Sequence, residues 1–151
     1  MTRFKGGLLA GLTALMLLGA CKEETEAKAP ASNPSGPRAI VSLDLLEIRH
    51  EMVEGRHRYV HRRVFTESAG VAGTIRRGKV CVQNGTECVD ALTNYALPAM
   101  GTFIQPNSHF ATPLEKDRVT LQYWIADANG HELQVMVTVD TDGDSATVTK
   151  Q

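Results

Sequence analysis

Between Arg118 and Val139 apolar and polar residues alternate with a period of two, the spacing of strands that turn one face to a core and the other to water. Val119, Leu121, Tyr123 and Ile125 form one apolar set, and Leu133, Val135, Val137 and Val139 form the next. A loop at Ala128-Asn129-Gly130, with Gly130 in the left-handed conformation of a G1 bulge, sets Ile125 opposite Leu133, Tyr123 opposite Val135 and Leu121 opposite Val137. A slip of one residue would point a whole apolar set into water, so pattern and turn agree on register. A tight turn at Asp142-Gly143 adds a third strand and places Ala146 opposite Val139 and Val148 opposite Val137.

Asn84-Gly85, the strongest short hairpin signal, centres a second hairpin over Lys79 to Asp90 in which Cys81 faces Cys88. That register makes them a hydrogen-bonded pair, the wider of the two antiparallel spacings. Ser42 to Glu54 has two readings. Asp44-x-x-Glu47 has capping-box character with Gly55 as a helix stop. A turn at Glu54-Gly55 instead makes a long hairpin in which Glu51 faces Arg58 and Glu47 faces Arg62, both pairs of opposite charge. The charge pairing favours strands. Further strands are predicted at 70–76 and 101–105, with Val89 to Met100 a loop or short helical turn around Pro98. About eight strands on the 113 residues from Ala39 to Gln151 imply a mainly β fold, an antiparallel two-sheet sandwich (Ig-like) or a small barrel.

At the N-terminus, Arg3 and Lys5 precede an apolar run from Leu8 to Leu18, which is too short to cross a bilayer as a stable helix and has the layout of a signal peptide. The run ends in Leu18-Gly19-Ala20-Cys21, which resembles the lipobox of bacterial lipoproteins. The resemblance implies removal of residues 1–20 and acylation of Cys21, with enough acyl chains to hold the protein on a membrane. Lys22, where an Asp is absent, resembles the pattern of sorting to the outer membrane. Residues 21–38 then form a tether: Lys22 to Arg38 hold three prolines and no large apolar side chain, and as a flexible coil would span roughly 20–25 Å. Residues 39–151 form the β-rich domain, facing the periplasm. Export brings oxidising conditions, so a Cys81–Cys88 disulfide is expected.

Function is less legible. Segment 49–79 carries eight Arg and Lys against three Glu, while 80–151 carries three basic residues against nine acids. One face can therefore attract a polyanion or an acidic envelope protein, with Arg58, Arg62 and Arg63 as the candidate contacts and Arg63 the freest of the three. Nucleic acid is not expected outside the cytoplasm, nor is a cofactor. Trp124, with Met136 beside it, lies on the face opposite the core stripe and is either covered by a loop or an exposed anchor for a partner. His50, Met52, His57 and His61 offer imidazole and thioether groups that suit copper. His50-x-Met52 resembles half of the motif of periplasmic copper chaperones, although the family's other Met and His ligands lack counterparts at its spacing. An EF-hand reading of Asp140 to Gln151 fails, because Ser145 and Gln151 stand where Gly and Glu are required. Ser108, His109 and Asp117 are the residues of a conceivable hydrolase triad, but no G-x-S-x-G context accompanies them. The expectation is an outer-membrane lipoprotein whose domain binds or supports another component, with a copper protein and an envelope hydrolase as rivals.

Overall fold

The structure, a computed structural model, describes residues 33–151; the signal peptide, Cys21 and the tether up to Ser32 lie outside the described residues. Eight strands follow in order: β1 (Val41–Val53), β2 (Arg56–Glu67), β3 (Gly73–Val82), β4 (Glu87–Leu97), β5 (Thr102–Thr112), β6 (Lys116–Asp127), β7 (Glu132–Asp142) and β8 (Ser145–Lys150). They form two antiparallel sheets, β1-β2-β5 and β4-β3-β6-β7-β8, packed as a sandwich and not closed into a barrel.

The β6–β7 register is the one the alternation predicts, with Ile125, Tyr123 and Leu121 opposite Leu133, Val135 and Val137, and Gly130 at φ 84°. The turn into β8 differs: Asp142 pairs with Ser145, so Gly143 and Asp144 make it, and Val139 faces Val148 while Ala146 faces Thr141. Gly143 at φ 61° is the first residue of a Gly-X turn, and the displacement by two residues keeps Ala146 and Val148 on the core side.

The segment 42–54 is strand as far as Val53, not helix. Glu54 and Gly55, both at positive φ, turn the chain, and Glu51 faces Arg58 as expected. Glu47 does not face Arg62 in register. It sits in a β-bulge at φ 56°, Leu46 takes the place opposite Arg62, and the Glu47–Arg62 ion pair at 3.2 Å forms diagonally. The strand at 70–76 and the arm from Lys79 are one element, β3, interrupted at Arg76. Arg76 is an extra residue against β6, so Ile75 and Gly78 both face the interior while Arg77 faces out. The segment from Val89 is not a loop, for β4 continues to Leu97; it is an edge strand whose side chains are mostly exposed, which leaves no alternation to read. The strand at 101–105 extends to Thr112 through a bulge at Pro106-Asn107, where a residue without an N–H is tolerated.

The core lies between the sheets. Leu43, Leu45, Tyr59, Phe65 and Phe110 from one pack against Ile75, Leu121, Tyr123, Ile125, Val137 and Val139 from the other. Three buried carboxylates satisfy loop amides that no strand partner can reach. Glu67 accepts from the N–H groups of Ile40, Ala69, Gly70, Val71 and Met100. Asp117 accepts from Gln83 and Asn84, and Asp127 from Ala39, Asn129 and His131. Burial alone would raise their pKa values, but the donated hydrogen bonds outweigh it and hold all three below the ordinary carboxylate range. The end of the tether is tied down as well: Ser35 N–H donates to Asn129 O, and Asn129 Nδ2 donates to Pro37 O.

A candidate ligand site between the sheets

Strand β2 is the middle strand of its sheet, and its inward positions alternate as Tyr59, His61, Arg63, Phe65 and Glu67. Two of these would ordinarily lie in water. His61 is 1% exposed and Arg63 is 9% exposed. Both neighbouring strands bulge here, β1 at Glu47-Ile48 and β5 at Pro106-Asn107. Bulges increase local twist and re-aim side chains, which gives the two polar groups space between the sheets.

Hydrogen bonds fix the state of His61. Nδ1 lies 3.2 Å from Tyr59 O, which can only accept, so Nδ1 carries the proton; Nε2 is then bare and accepts from Arg63 Nη2 at 3.5 Å. Burial first, and the Arg63 charge second, lower the His61 pKa to about 4, so the ring is neutral at neutral pH. Arg63 Nη1 donates to Gln105 Oε1 at 3.0 Å, and the guanidinium stands 5.0 Å from the centre of the Tyr123 ring. Burial pulls the Arg63 pKa down, but a guanidinium stays charged inside a protein.

Among the described residues no carboxylate lies within ion-pair distance of Arg63. Its Nε is buried with no hydrogen-bond partner, and the hydroxyl of Tyr123, a residue 4% exposed, has none either. The Nε atoms of Arg58 and Arg62 are likewise unbonded, but each of those guanidiniums has an acid. Desolvation pushes the Tyr123 hydroxyl up to about 12, so it keeps its proton and can donate. A buried polar group without a partner costs about 1–3 kcal/mol, and more when charged, so two adjoining orphans require an explanation.

The residues that carry them, Arg63 and Tyr123, both line a cavity of about 190 Å³ whose other walls include Phe65, Val80, Val89 and Tyr95. Gly78 makes room for it. A Cβ on Gly78 would stand 2.6 Å from Tyr123 Cε1, so only glycine lets the ring lie flat on β3 at this point. The edge strands contribute Val89, Ala91, Thr93 and Tyr95 of β4 and Gln105 of β5 to the cavity's lining, and Val89 is 67% exposed. A second cavity of about 280 Å³ adjoins it, shares Val80 and Val89, and continues to Val82 and Phe110. The result is a largely apolar slot with one cation and two neutral donors, Tyr123 Oη and the Gln105 amide, at one end, and with Glu87 and His109 in the lining of the other.

The residues singled out from the sequence are placed differently. Arg58 and Arg62 are paired with Glu51 and Glu47 at 3.2 Å each. Among the described residues Arg63 is the one of the three arginines without an acid, as expected, but it is buried between the sheets and does not lie on an outer basic face. The basic and acidic segments partly neutralise one another, through Arg56–Glu87 and Arg77–Asp90. Trp124 does face away from the core, but it is covered by the Arg77 guanidinium, 4.4 Å above its ring, rather than by a loop or by nothing. His50 Nε2 and His57 Nδ1 are 3.0 Å apart, and Met52 is the cross-strand partner of His57. His61 does not join them, being engaged by Tyr59 and Arg63, and among the described residues no group of three His, Cys, Asp or Glu side chains could hold a metal. Asp140 and Asp142 pair with Arg118 and Lys116. Asp117 is occupied by loop amides, His109 approaches Arg58, and Ser108 turns to Gln105 O, so these three form no triad. Cys81 and Cys88 are bonded, with Cα atoms 4.0 Å apart, closer than the roughly 5.5 Å of the hydrogen-bonded pair that the register implies.

The sequence pointed to Arg63 as a binding residue but placed it on an outer basic face, and so missed the interior site. The signal was present, since Tyr59, Arg63 and Phe65 share one parity and two of them are large aromatic residues.

No family model and no curated protein matches the sequence. Solved structures do. One, described as the ApaA protein from Bordetella pertussis, superposes with a TM-score of 0.54 at 15% identity over 76% of this chain and 95% of that one. A second, a structural-genomics target, has a TM-score of 0.47 at 9% identity over 74% of this chain and 83% of that one. At such identities the likeness to the first extends to the fold alone, and what occupies the slot around Arg63 must be argued from its own side chains.

Proposed function

We propose that this chain is an exported lipoprotein, acylated at Cys21 and anchored in the outer membrane, whose β-sandwich is a non-catalytic binding module facing the periplasm. The N-terminal pattern ending in Leu18-Gly19-Ala20-Cys21 supports the anchor, and the absence of Asp after Cys21 supports the outer membrane. The binding role rests on one observation: Arg63 is buried without an acid beside the unpartnered Tyr123 hydroxyl, and both line an apolar cavity. Buried charges are ordinarily paired, so a cation kept in such a place fits an anionic ligand that completes it. This reading moves the binding role from the outer arginines to the interior, because Arg58 and Arg62 already have partners.

The test is native mass spectrometry of the protein released gently from envelope membranes, beside an Arg63→Met variant. A discrete added mass on the wild type that is missing from the variant is expected. The same bare mass for both would overturn the binding role. A Cys21 without a diacylglyceryl group in the intact mass would overturn the anchor.

A further inference from the structure

The chemistry of the slot narrows its ligand, an inference that rests on reading the cavity as a ligand site. At one end stand Arg63, the Tyr123 hydroxyl and the Gln105 amide, whose Oε1 is already taken by Arg63 and whose NH2 remains to donate. These are donors with a single positive charge among them. A dianion such as phosphate would keep one charge uncompensated in an apolar surround, whereas a carboxylate brings one charge and acceptors that a guanidinium recognises well. From this end a mainly apolar wall runs on through Val80 and Val89 to Val82, Phe110 and Ala111, with Glu87 and His109 the polar members of the second cavity's lining. Such a wall has no use for the polar body of a sugar or an amino acid. It suits a narrow hydrocarbon chain that can lie lengthwise between β3–β4 and β5.

We infer that the slot binds a straight-chain alkyl carboxylate, a free fatty acid, with its carboxylate on Arg63 and Tyr123 and its chain along Val80 and Val89 toward Phe110. Val89, a lining residue that is largely exposed, marks the β4 side as its route of entry. Gly78, by keeping the Tyr123 ring against β3, holds the hydroxyl at the head end.

Calorimetric titration of the whole mature chain tests this, with Cys21→Ser so that no attached acyl group competes. The probes are hexanoate, octanoate and decanoate beside the 1-alkanols of equal length. Affinity for the carboxylates should rise by about fourfold per added methylene until the slot is full. Octanoate should bind at least about tenfold more tightly than octanol, the difference a charge-assisted hydrogen bond provides. Arg63→Met should abolish that preference and leave alkanol binding in place. If Arg63→Met does not fold, Tyr123→Phe removes only the hydroxyl and should weaken octanoate severalfold without affecting octanol. Equal binding of octanoate and octanol would refute the carboxylate head group while the cavity remains a ligand site. No binding of any chain, acid or alcohol, would refute the cavity reading itself. A carboxylate preference unchanged by both substitutions would place the site elsewhere and overturn the inference.

Discussion

Lowering the pH from 7.5 to 5 should destabilise the domain through His61 before any carboxylate titrates substantially. The His61 pKa is about 4 in the folded chain, against an ordinary 6.5. Between those values the unfolded chain holds a proton that the folded chain does not, so stability is complete above pH 6.5 and falls as the pH drops toward 4. Linkage at the two pKa values gives a loss of about 2 kcal/mol by pH 5. In urea this is a midpoint shift of roughly 1 M, taking slopes of 1–3 kcal/mol/M. Glu67, Asp117 and Asp127 also have lowered pKa values, but their contributions are lost only below the unfolded carboxylate range near pH 4. His109, shifted down by its partial burial and then by Arg58, acts in the same direction as His61. The assay is therefore a pair of urea titrations at pH 7.5 and 5 on the wild type and on His61→Gln, whose amide can still donate to Tyr59 O and accept from Arg63. The variant should lose most of the pH dependence. If its midpoint moves between the two pH values as far as the wild type's does, the neutral, buried His61 is refuted.

Removing the Cys81–Cys88 bond by a double change to Ala should cost about 2 kcal/mol, the entropy of a short closed loop, and thiol labelling of the unfolded, unreduced wild type should find neither sulfur reactive. Glu67→Gln replaces one acceptor oxygen with a donor among five backbone N–H groups, so it should lower the melting temperature and speed amide exchange at Ala69 to Val71 and at Met100. Cys21→Ser should leave the domain folded but unanchored or unprocessed; recovery of a soluble wild-type product with a free Cys21 thiol would remove Cys21 as the anchor.

The parts of the fold that could be read from the sequence are those where one face is buried and the turn is short. β6 and β7 have both, and their register follows residue for residue. β1 and β2 were legible as far as Glu51–Arg58, where cross-strand charges mark the pairing, and ceased to be so at the Glu47 bulge. A bulge inserts one residue and reverses parity, and no residue type announced it at Glu47 or at Arg76. β4 was illegible for a different reason: an edge strand whose side chains are mostly exposed has no buried face to impose a period. At the site, the same alternation that places Phe65 inside also places Arg63 inside, but charge was weighed above parity. Gly78 could be interpreted only with Tyr123 already positioned against it.

The central claim is that Arg63 serves a ligand and not the fold, and the unfolding free energy of the ligand-free Arg63→Met variant tests it most directly. Replacing a buried ion pair by apolar side chains is often neutral or stabilising by about 1–4 kcal/mol, whereas breaking a structural ion pair costs about 3–5 kcal/mol. Among the described residues Arg63 has no counter-ion to strand, so relief of its buried charge offsets the bonds lost to His61 and Gln105. Urea unfolding at pH 7.5 should show Arg63→Met at least as stable as the wild type once bound material has been extracted from both. A variant less stable by about 3 kcal/mol or more would show that the fold itself depends on the guanidinium, and would contradict the account.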